Sequence, residues 1–125
     1  MEAAGGFVPG RHLIESYGSG GFRFAGMSHR GSILALPSGV RSWAGADAAS
    51  LAAADFCAVI AEAAEIDLLL IGTGNSMMPL ARQAVESLRD ANLRFEVMST
   101  DAAARTYNVL VSENRKAAAC LLAVQ

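Results

Sequence analysis

Two glycines follow an apolar run at a place where some α/β proteins bind a phosphate. The segment at residues 67–71, which is apolar after Asp67, leads into Gly-Thr-Gly-Asn at residues 72–75. In dinucleotide-binding proteins, such glycines let the backbone approach a pyrophosphate at a helix N-terminus. The third glycine of that fingerprint is missing, because Met77 and Met78 stand in its region, and the chain has no Gly-Lys-Ser/Thr of a Walker loop. We therefore favour a plain strand-to-helix turn over a phosphate site.

A group of polar residues recurs at helical spacing in the C-terminal third. A helix advances about 100° per residue, so Arg105 and Asn108 fall near one face and Tyr107 on the core side. One hypothesis makes these residues, with Glu113, a polar patch that grips a partner through the guanidinium fork. The structural alternative pairs Arg105 with Glu113 or Asp101 and lets Asn108 satisfy a loop carbonyl. We favour the structural alternative and keep both.

The histidines and cysteines are too scattered to indicate a metal site or a catalytic thiol. A zinc site needs about four converging ligands. His12 and His29 have no neighbour at ligand spacing, and Cys57 and Cys120 are far from both. The chain contains neither a Cys-x-x-Cys motif nor a Gly-x-Ser-x-Gly nucleophile elbow. We expect two buried thiols, no metal and no cofactor, and we find no catalytic residues to name.

Several aromatic and methionine side chains lie outside the predicted core stripes. Trp43 falls in a loop, where it either covers the sheet or anchors a partner. Met77 and Met78 could line an adaptable contact surface, although core filling is a slightly better account of the whole group. The candidate functional surface comprises Gly72, Gly74, Arg105, Tyr107, Asn108, Glu113, Trp43, Met77 and Met78.

The first third of the chain is predicted to be a β-meander that precedes these residues. Glycine accepts a positive φ at little cost, which suits the turns of a meander. Short apolar segments alternate with such turns, the segments at residues 12–17, 22–25 and 32–36 and the turns at residues 18–21 and 27–31. Residues 1–10 are expected to form a flexible arm.

The rest of the chain alternates helix and strand. Residues 47–64 are rich in alanine and carry apolar residues at helical spacing. Residues 67–71 are continuously apolar after Asp67, which is typical of a strand covered on both faces. The later elements are a helix over about residues 79–92, a strand at 93–98, a helix from 99–101 to about 112 and a strand at 117–124.

These elements predict one α/β domain over residues 11–125. The strands at residues 67–71 and 93–98 should run parallel, because one helix joins them. We expect a mixed central sheet of about five strands with helices on one face. The N-terminal meander should extend the sheet or cover its other face.

Composition restricts the partners of the protein. The formal net charge is −2 and the sequence pI is near 5.6, so we expect no nucleic-acid partner. No apolar run approaches the roughly 20 residues that span a bilayer, so we expect no integral membrane protein. The N-terminus lacks the basic and apolar regions of a signal peptide. A soluble, cytoplasmic protein is the resulting expectation.

Several segments together resemble a known family. They are Leu-Leu-Ile-Gly-Thr-Gly at residues 69–74, Pro79, Ala-Ala-Arg-Thr-Tyr-Asn-Val-Leu at residues 103–110, Glu113-x-Arg115 and the alanines at residues 117–119. The chain is similar to the small α/β proteins that include the mitochondrial complex I (NADH:ubiquinone oxidoreductase) assembly factor 3. The family pattern usually has a cysteine just before the arginine, where this chain has Ala104. Any chemistry of that thiol is therefore lost here.

The resemblance implies a three-layer α/β fold and no established catalytic mechanism. Its mitochondrial members help to build a respiratory complex, and its bacterial members are suspected of roles near membrane-protein biogenesis. The leading hypothesis is a non-enzymatic protein-interaction module that aids assembly of respiratory or other membrane protein complexes. The alternative is a small-molecule-binding protein or an uncharacterised enzyme that uses the turn at residues 72–75 with Arg105 and Asn108. A closed cleft joining those groups would favour the alternative.

Overall fold

A mixed six-stranded sheet runs through the middle of the protein in the computed structural model, which describes residues 7–125. Its spatial order is β1 (Phe7–Pro9), β6 (Gly39–Trp43), β5 (Ser32–Leu36), β9 (Ala117–Leu121), β7 (Leu68–Gly72) and β8 (Phe95–Met98). Strand β7 is parallel to both β8 and β9, and the other pairs are antiparallel. The mixed sheet, the parallel β7–β8 pair and the C-terminal strand within the sheet are confirmed.

The sheet has six strands because it includes β1 and β6, neither of which was predicted. Phe7–Pro9, which we assigned to a flexible arm, pairs with β6 as an edge strand. The rest of that arm, residues 1–6, lies outside the described residues. The predicted strand at residues 32–36 is confirmed as β5.

A second, antiparallel sheet of three short strands precedes β5. It consists of β2 (Ser16–Gly18), β3 (Gly21–Phe24) and β4 (Met27–Arg30). The turn predicted at residues 27–31 is wrong, because Met27–Arg30 pairs with β3. This strand alternates with His29 buried and Ser28 and Arg30 exposed, a pattern that its polar residues conceal in the sequence.

The helix predicted over residues 47–64 is broken into four short pieces. They are 3₁₀ turns at Ala48–Ser50, Ala53–Phe56 and Ala63–Glu65 and the short helix α1 at Cys57–Ala61. The Asp47 carboxylate accepts from the Ser50 N–H at 3.1 Å, and the Asp55 carboxylate accepts from the Ala52 N–H at 2.8 Å. Such local bonds compete with a continuous helix, which accounts for the breaks.

Helices cover both faces of the six-stranded sheet, although we expected them on one. Helix α2 (Arg82–Asp90) connects β7 to β8, and α3 (Thr100–Ser112) connects β8 to β9. In the strand order β9-β7-β8, the first connection leads from β7 outward to β8, whereas the second leads from β8 back past β7 to β9. Because parallel connections are right-handed, the two helices must lie on opposite faces. The α/β class is confirmed, with three layers.

Each face of the sheet has its own apolar core. On one face, Leu69 and Ile71 pack with Phe56 of the short turns and Leu88 of α2. On the other face, Leu70 packs with residues of α3 and of the three-stranded sheet, among them Tyr107, Phe22 and Phe24. Strand β7 is therefore covered on both sides, as its continuous apolar run predicted.

Within residues 7–125, no helix has the length and apolar character needed to cross a membrane.

The two cysteines differ in exposure, and their reactivity should differ accordingly. Cys120 is fully buried in β9, and this burial raises the pKa of its thiol. Cys57 is exposed, contrary to the expectation of two buried thiols.

At neutral pH, Ellman's reagent should modify Cys57 quickly in the native protein and Cys120 only after unfolding. The Cys57→Ser variant should show no fast phase, and rapid modification of that variant would show that Cys120 is accessible.

Candidate functional site

Asn108 fastens a segment from the other end of the chain to helix α3. Its Oδ1 accepts from the Ile14 N–H at 2.8 Å, and its Nδ2 donates to the Ile14 carbonyl at 2.9 Å. The side-chain amide thus satisfies both backbone groups of Ile14, as a paired strand would. We call residues 11–14 the N-terminal strap. Asn108 thus bonds to a backbone carbonyl, the contact that the structural alternative described.

Tyr107 and Arg11 hold the same strap from below. The buried Tyr107 hydroxyl donates to the His12 carbonyl at 3.4 Å, and the Arg11 guanidinium donates to the Ala117 carbonyl at 2.6 Å. Burial raises the pKa of Tyr107, and the nearby Arg11 charge opposes that shift. The phenol therefore stays protonated at physiological pH and serves as a hydrogen-bond donor.

Arg105 forms an ion pair on the surface of α3. Its Nη2 lies 2.6 Å from Asp101 Oδ2, and the two side chains are 70% and 51% exposed. Asp101 also accepts a hydrogen bond from the Tyr17 hydroxyl of β2, so it ties the three-stranded sheet to α3. Asp101 is one of the two acidic partners that the structural alternative named. Glu113, the other, is exposed just after the end of α3.

The turn at residues 72–75 is closed by the hydroxyl of Thr100, the first residue of α3. Thr100 Oγ1 accepts from the Gly74 N–H at 2.9 Å and donates to the Leu122 carbonyl at 2.7 Å. The Thr100 N–H in turn donates to the Gly74 carbonyl at 2.9 Å. The Gly74 N–H that a phosphate would need is therefore already bonded within the protein.

The two glycines of this turn have separate structural reasons. A Cβ added at Gly72 would lie 2.7 Å from the Thr100 Cα, so only glycine lets α3 approach β7 this closely. Gly74 has φ +104°, which side chains rarely tolerate. The helix that follows, α2, starts only at Arg82, so the glycines do not flank a helix N-terminus. The geometry is that of a plain turn.

Trp43 is the last residue of β6, not part of a loop as we expected, and its side chain is buried in the core against the 3₁₀ turns. Its indole N–H donates to the Asp55 carbonyl at 2.8 Å, and its ring packs edge-on against Phe56 with centroids 5.7 Å apart. Because the side chain is buried and its polar atom is bonded, Trp43 fits the core-filling alternative.

Met77 and Met78 are exposed on the loop that joins β7 to α2, and we call residues 74–81 the methionine loop. The two side chains are 59% and 48% exposed. The base of the loop is fixed, because the Thr73 hydroxyl donates to the Ser76 carbonyl at 2.7 Å and accepts from the Met78 N–H at 2.9 Å. Two apolar side chains thus project into solvent from an ordered base.

The candidate residues do not form one site. Gly72 ends β7, and Gly74, Met77 and Met78 follow it in the methionine loop. Tyr107 and Asn108 hold the strap, Arg105 pairs with Asp101 instead, and Glu113 and Trp43 belong to neither group. Sequence reasoning missed Thr73 and Thr100, since a threonine gives no pattern that identifies its hydroxyl partners. Concavities of about 560 and 480 Å³ lie elsewhere, and neither is lined by residues 72–75 or by Arg105.

Replacing Asn108 by alanine should destabilise the protein far more than replacing Arg105 by alanine. Asn108→Ala removes both partners of the Ile14 backbone and should lower the free energy of unfolding by about 1–3 kcal/mol. Arg105→Ala breaks an exposed i, i+4 pair and should cost no more than about 0.5 kcal/mol. Urea denaturation followed by circular dichroism measures both. Equal losses would contradict the structural role of Asn108.

Replacing Thr100 by valine tests the closure of the glycine turn. Valine has the shape of threonine but leaves the Gly74 N–H and the Leu122 carbonyl without their partner, so the free energy of unfolding should fall by about 1–3 kcal/mol. Thr100→Ser keeps the hydroxyl and should lose only about 1 kcal/mol. Denaturation curves that rank valine as stable as serine would show that the hydroxyl contributes little.

Similarity to known proteins extends over nearly the whole domain. An uncharacterized protein of Rhodobacter capsulatus is 40% identical over 109 residues, which cover 87% of this chain and 82% of that protein. A crystal structure from Bartonella henselae, described as an outer membrane protein, superposes with a TM-score of 0.89 and 44% identity. The match covers 94% of this chain and 98% of that chain.

Mouse NADH dehydrogenase (ubiquinone) 1 alpha subcomplex assembly factor 3 is also similar. It is 29% identical over 87% of this chain, which spans only 59% of the mouse protein. The family model described as protein of unknown function (DUF498/DUF598) matches residues 14–122. The resemblance found in the sequence is thereby confirmed, and the chain belongs to the DUF498/DUF598 family.

Proposed function

We propose that this protein is a non-enzymatic protein-interaction module that acts in the cytoplasm during assembly of respiratory or other membrane protein complexes. The observation that carries the proposal is the exposed pair Met77 and Met78 on a loop with a fixed base. Methionine is flexible and polarizable, so it adapts to the apolar surface of a partner. When a partner covers two adjacent large apolar side chains, their surface is removed from water, which lowers the free energy of the complex.

The fixed base of the methionine loop favours binding. Association costs conformational entropy when a loop must be ordered at the interface. Here the Thr73 and Thr100 hydroxyls already hold the backbone on the β7 side of the loop. Less backbone freedom is therefore lost on this side of the loop when a partner binds, which leaves more of the apolar gain for affinity.

The assembly role draws on the relatives. The mouse relative is named as an assembly factor of NADH dehydrogenase, and this chain corresponds to 59% of its length. The shared part is the α/β domain, and we therefore assign partner binding to this domain. A subunit of a membrane complex, before it meets its final neighbours, exposes apolar surface of the kind that the methionine loop fits.

The groups needed by the small-molecule alternative are already engaged within the protein. The Gly74 N–H bonds to Thr100, the Asn108 amide bonds to Ile14, and the Arg105 guanidinium bonds to Asp101. At Gly74 and Asn108, a ligand would have to displace a bond that stabilises the fold, and at Arg105 it would compete with Asp101. The interaction module needs no such displacement.

Charged substitutions in the methionine loop should abolish partner capture and leave the fold intact. The double variant Met77→Glu, Met78→Glu places two carboxylates where an apolar partner would bind, which costs desolvation energy in the complex. Exposed substitutions of this kind change stability by no more than about 0.5 kcal/mol. The measurement is affinity capture from cells of the source organism with mass spectrometry, beside thermal melting of the purified proteins.

The matched control is Val109→Glu, which adds a carboxylate at an apolar side chain of α3 that is 53% exposed. Support requires that wild type and Val109→Glu capture a subunit of a membrane protein complex and that the double variant does not. Capture by the double variant at the wild-type level rejects the loop as the contact surface. Capture of no subunit of any membrane complex by the wild type rejects the proposed function.

A further inference from the structure

The exposed face of the three-stranded sheet carries two arginines among very small residues. Strand pairing puts two cross-strand rows on this face, Ser16–Arg23–Ser28 and Gly18–Gly21–Arg30. Arg23 and Arg30 are therefore diagonal neighbours, which in an antiparallel sheet lie about 7–8 Å apart. Since every other position in the two rows is glycine or serine, no bulky side chain separates the two guanidinium groups.

Neither of these charges is neutralised by the described part of the chain. The Arg23 Nη1 donates to the uncharged Ser28 hydroxyl at 2.6 Å. Among residues 7–125, no carboxylate lies within ion-pair distance of Arg23 or Arg30. The nearby acids are engaged elsewhere, because the Glu15 carboxylate accepts from the Gly26 N–H at 3.1 Å and Asp101 bonds to α3 and β2. The protein as a whole is acidic, so this local surplus of positive charge stands out.

The same face forms a concavity of about 560 Å³ whose lining includes no acidic residue. Both arginines and both serines of the two rows line it. We propose that this concavity binds a phosphate group, carried either by a small phosphorylated molecule or by a phospholipid headgroup. We call it the arginine face.

The chemistry of the arginine face matches a phosphate better than a carboxylate. A phosphate monoester carries up to two negative charges, and two guanidinium forks can each bind two of its oxygens. The Ser28 hydroxyl accepts from Arg23, so its own proton is free to donate to a phosphate oxygen. A carboxylate would need only one of the two arginines. The volume leaves room for the group to which the phosphate is attached.

The test is a titration of the full chain with inorganic phosphate and pyrophosphate, followed by ¹H–¹⁵N NMR. Amide signals of β2, β3 and β4 should shift saturably. Arg23→Gln and Arg30→Gln should each weaken binding by about tenfold or more, because each removes charge-assisted hydrogen bonds. Arg23→Lys keeps the charge but loses the fork, so its affinity should fall between wild type and Arg23→Gln.

A parallel arm identifies the source of the phosphate. The protein is floated with vesicles of phosphatidylcholine alone and of phosphatidylcholine with phosphatidic acid. Flotation only with phosphatidic acid, lost in Arg23→Gln and Arg30→Gln, supports the headgroup. Titration shifts without flotation support a small phosphorylated molecule.

The control is Arg89→Gln, which removes the same charge from an exposed position on α2. It should bind phosphate as the wild type does. The proposal is overturned if neither phosphate, pyrophosphate nor vesicles affect the signals of β2–β4. It is equally overturned if Arg89→Gln weakens binding as much as Arg23→Gln, since attraction would then reflect net charge alone.

Discussion

The hydroxyl of Thr100 is the contact on which the arrangement of the domain depends. It is fully buried, and it joins three elements at one point: the turn after β7, the first residue of α3 and the chain just beyond β9. A buried hydroxyl or amide without a partner would be costly, and here the donor and the acceptor are both satisfied. The contact is possible only because Gly72 lacks a Cβ, which would lie 2.7 Å from the Thr100 Cα. The Thr100 hydroxyl and the absence of a side chain at Gly72 thus allow the start of the β7–β8 connection to lie against the helix of the β8–β9 connection.

This contact changes the use of the sheet edge where α/β proteins commonly bind ligands. Ligands usually bind beyond the carboxyl ends of parallel strands, where backbone N–H groups are free. In this protein the Gly74 N–H bonds to Thr100, the Thr73 N–H bonds to the Met98 carbonyl, and the Met78 N–H bonds to Thr73. Three backbone donors at this edge are thus bonded within the protein, and the loop that follows exposes Met77 and Met78 beside the polar Asn75 and Ser76. An anion at this edge would have to displace these internal bonds.

The sequence predicts those elements whose pattern arises from local packing. The apolar run of β7 and the spacing of apolar residues in α3 led to the right elements. A strand buried on both faces is apolar throughout, whereas a helix buried on one face has apolar residues at helical spacing, so the two patterns differ. Residues 47–64 misled us, since local carboxylate bonds broke the helix that their spacing predicts. The sequence allowed us to predict that Asn108 bonds to a backbone carbonyl, but not which residue supplies that carbonyl. Ile14 is 94 residues away in the chain, and only the fold brings the two together.

Helix α3 supports both surfaces for which we propose a function. At its first residue, Thr100 holds the base of the methionine loop, and at the next, Asp101 binds the Tyr17 hydroxyl of the three-stranded sheet. Further along, Asn108 holds the N-terminal strap that leads into that sheet. The methionine loop and the arginine face are therefore attached to one helix, which packs against β7 and β9 across a buried core. Because interiors packed in this way deform little, a partner on the loop and a phosphate on the arginine face would be held at a fixed separation. A module with two such surfaces could place a protein partner at a defined position relative to a phosphate-bearing molecule or membrane, as the assembly of a complex requires.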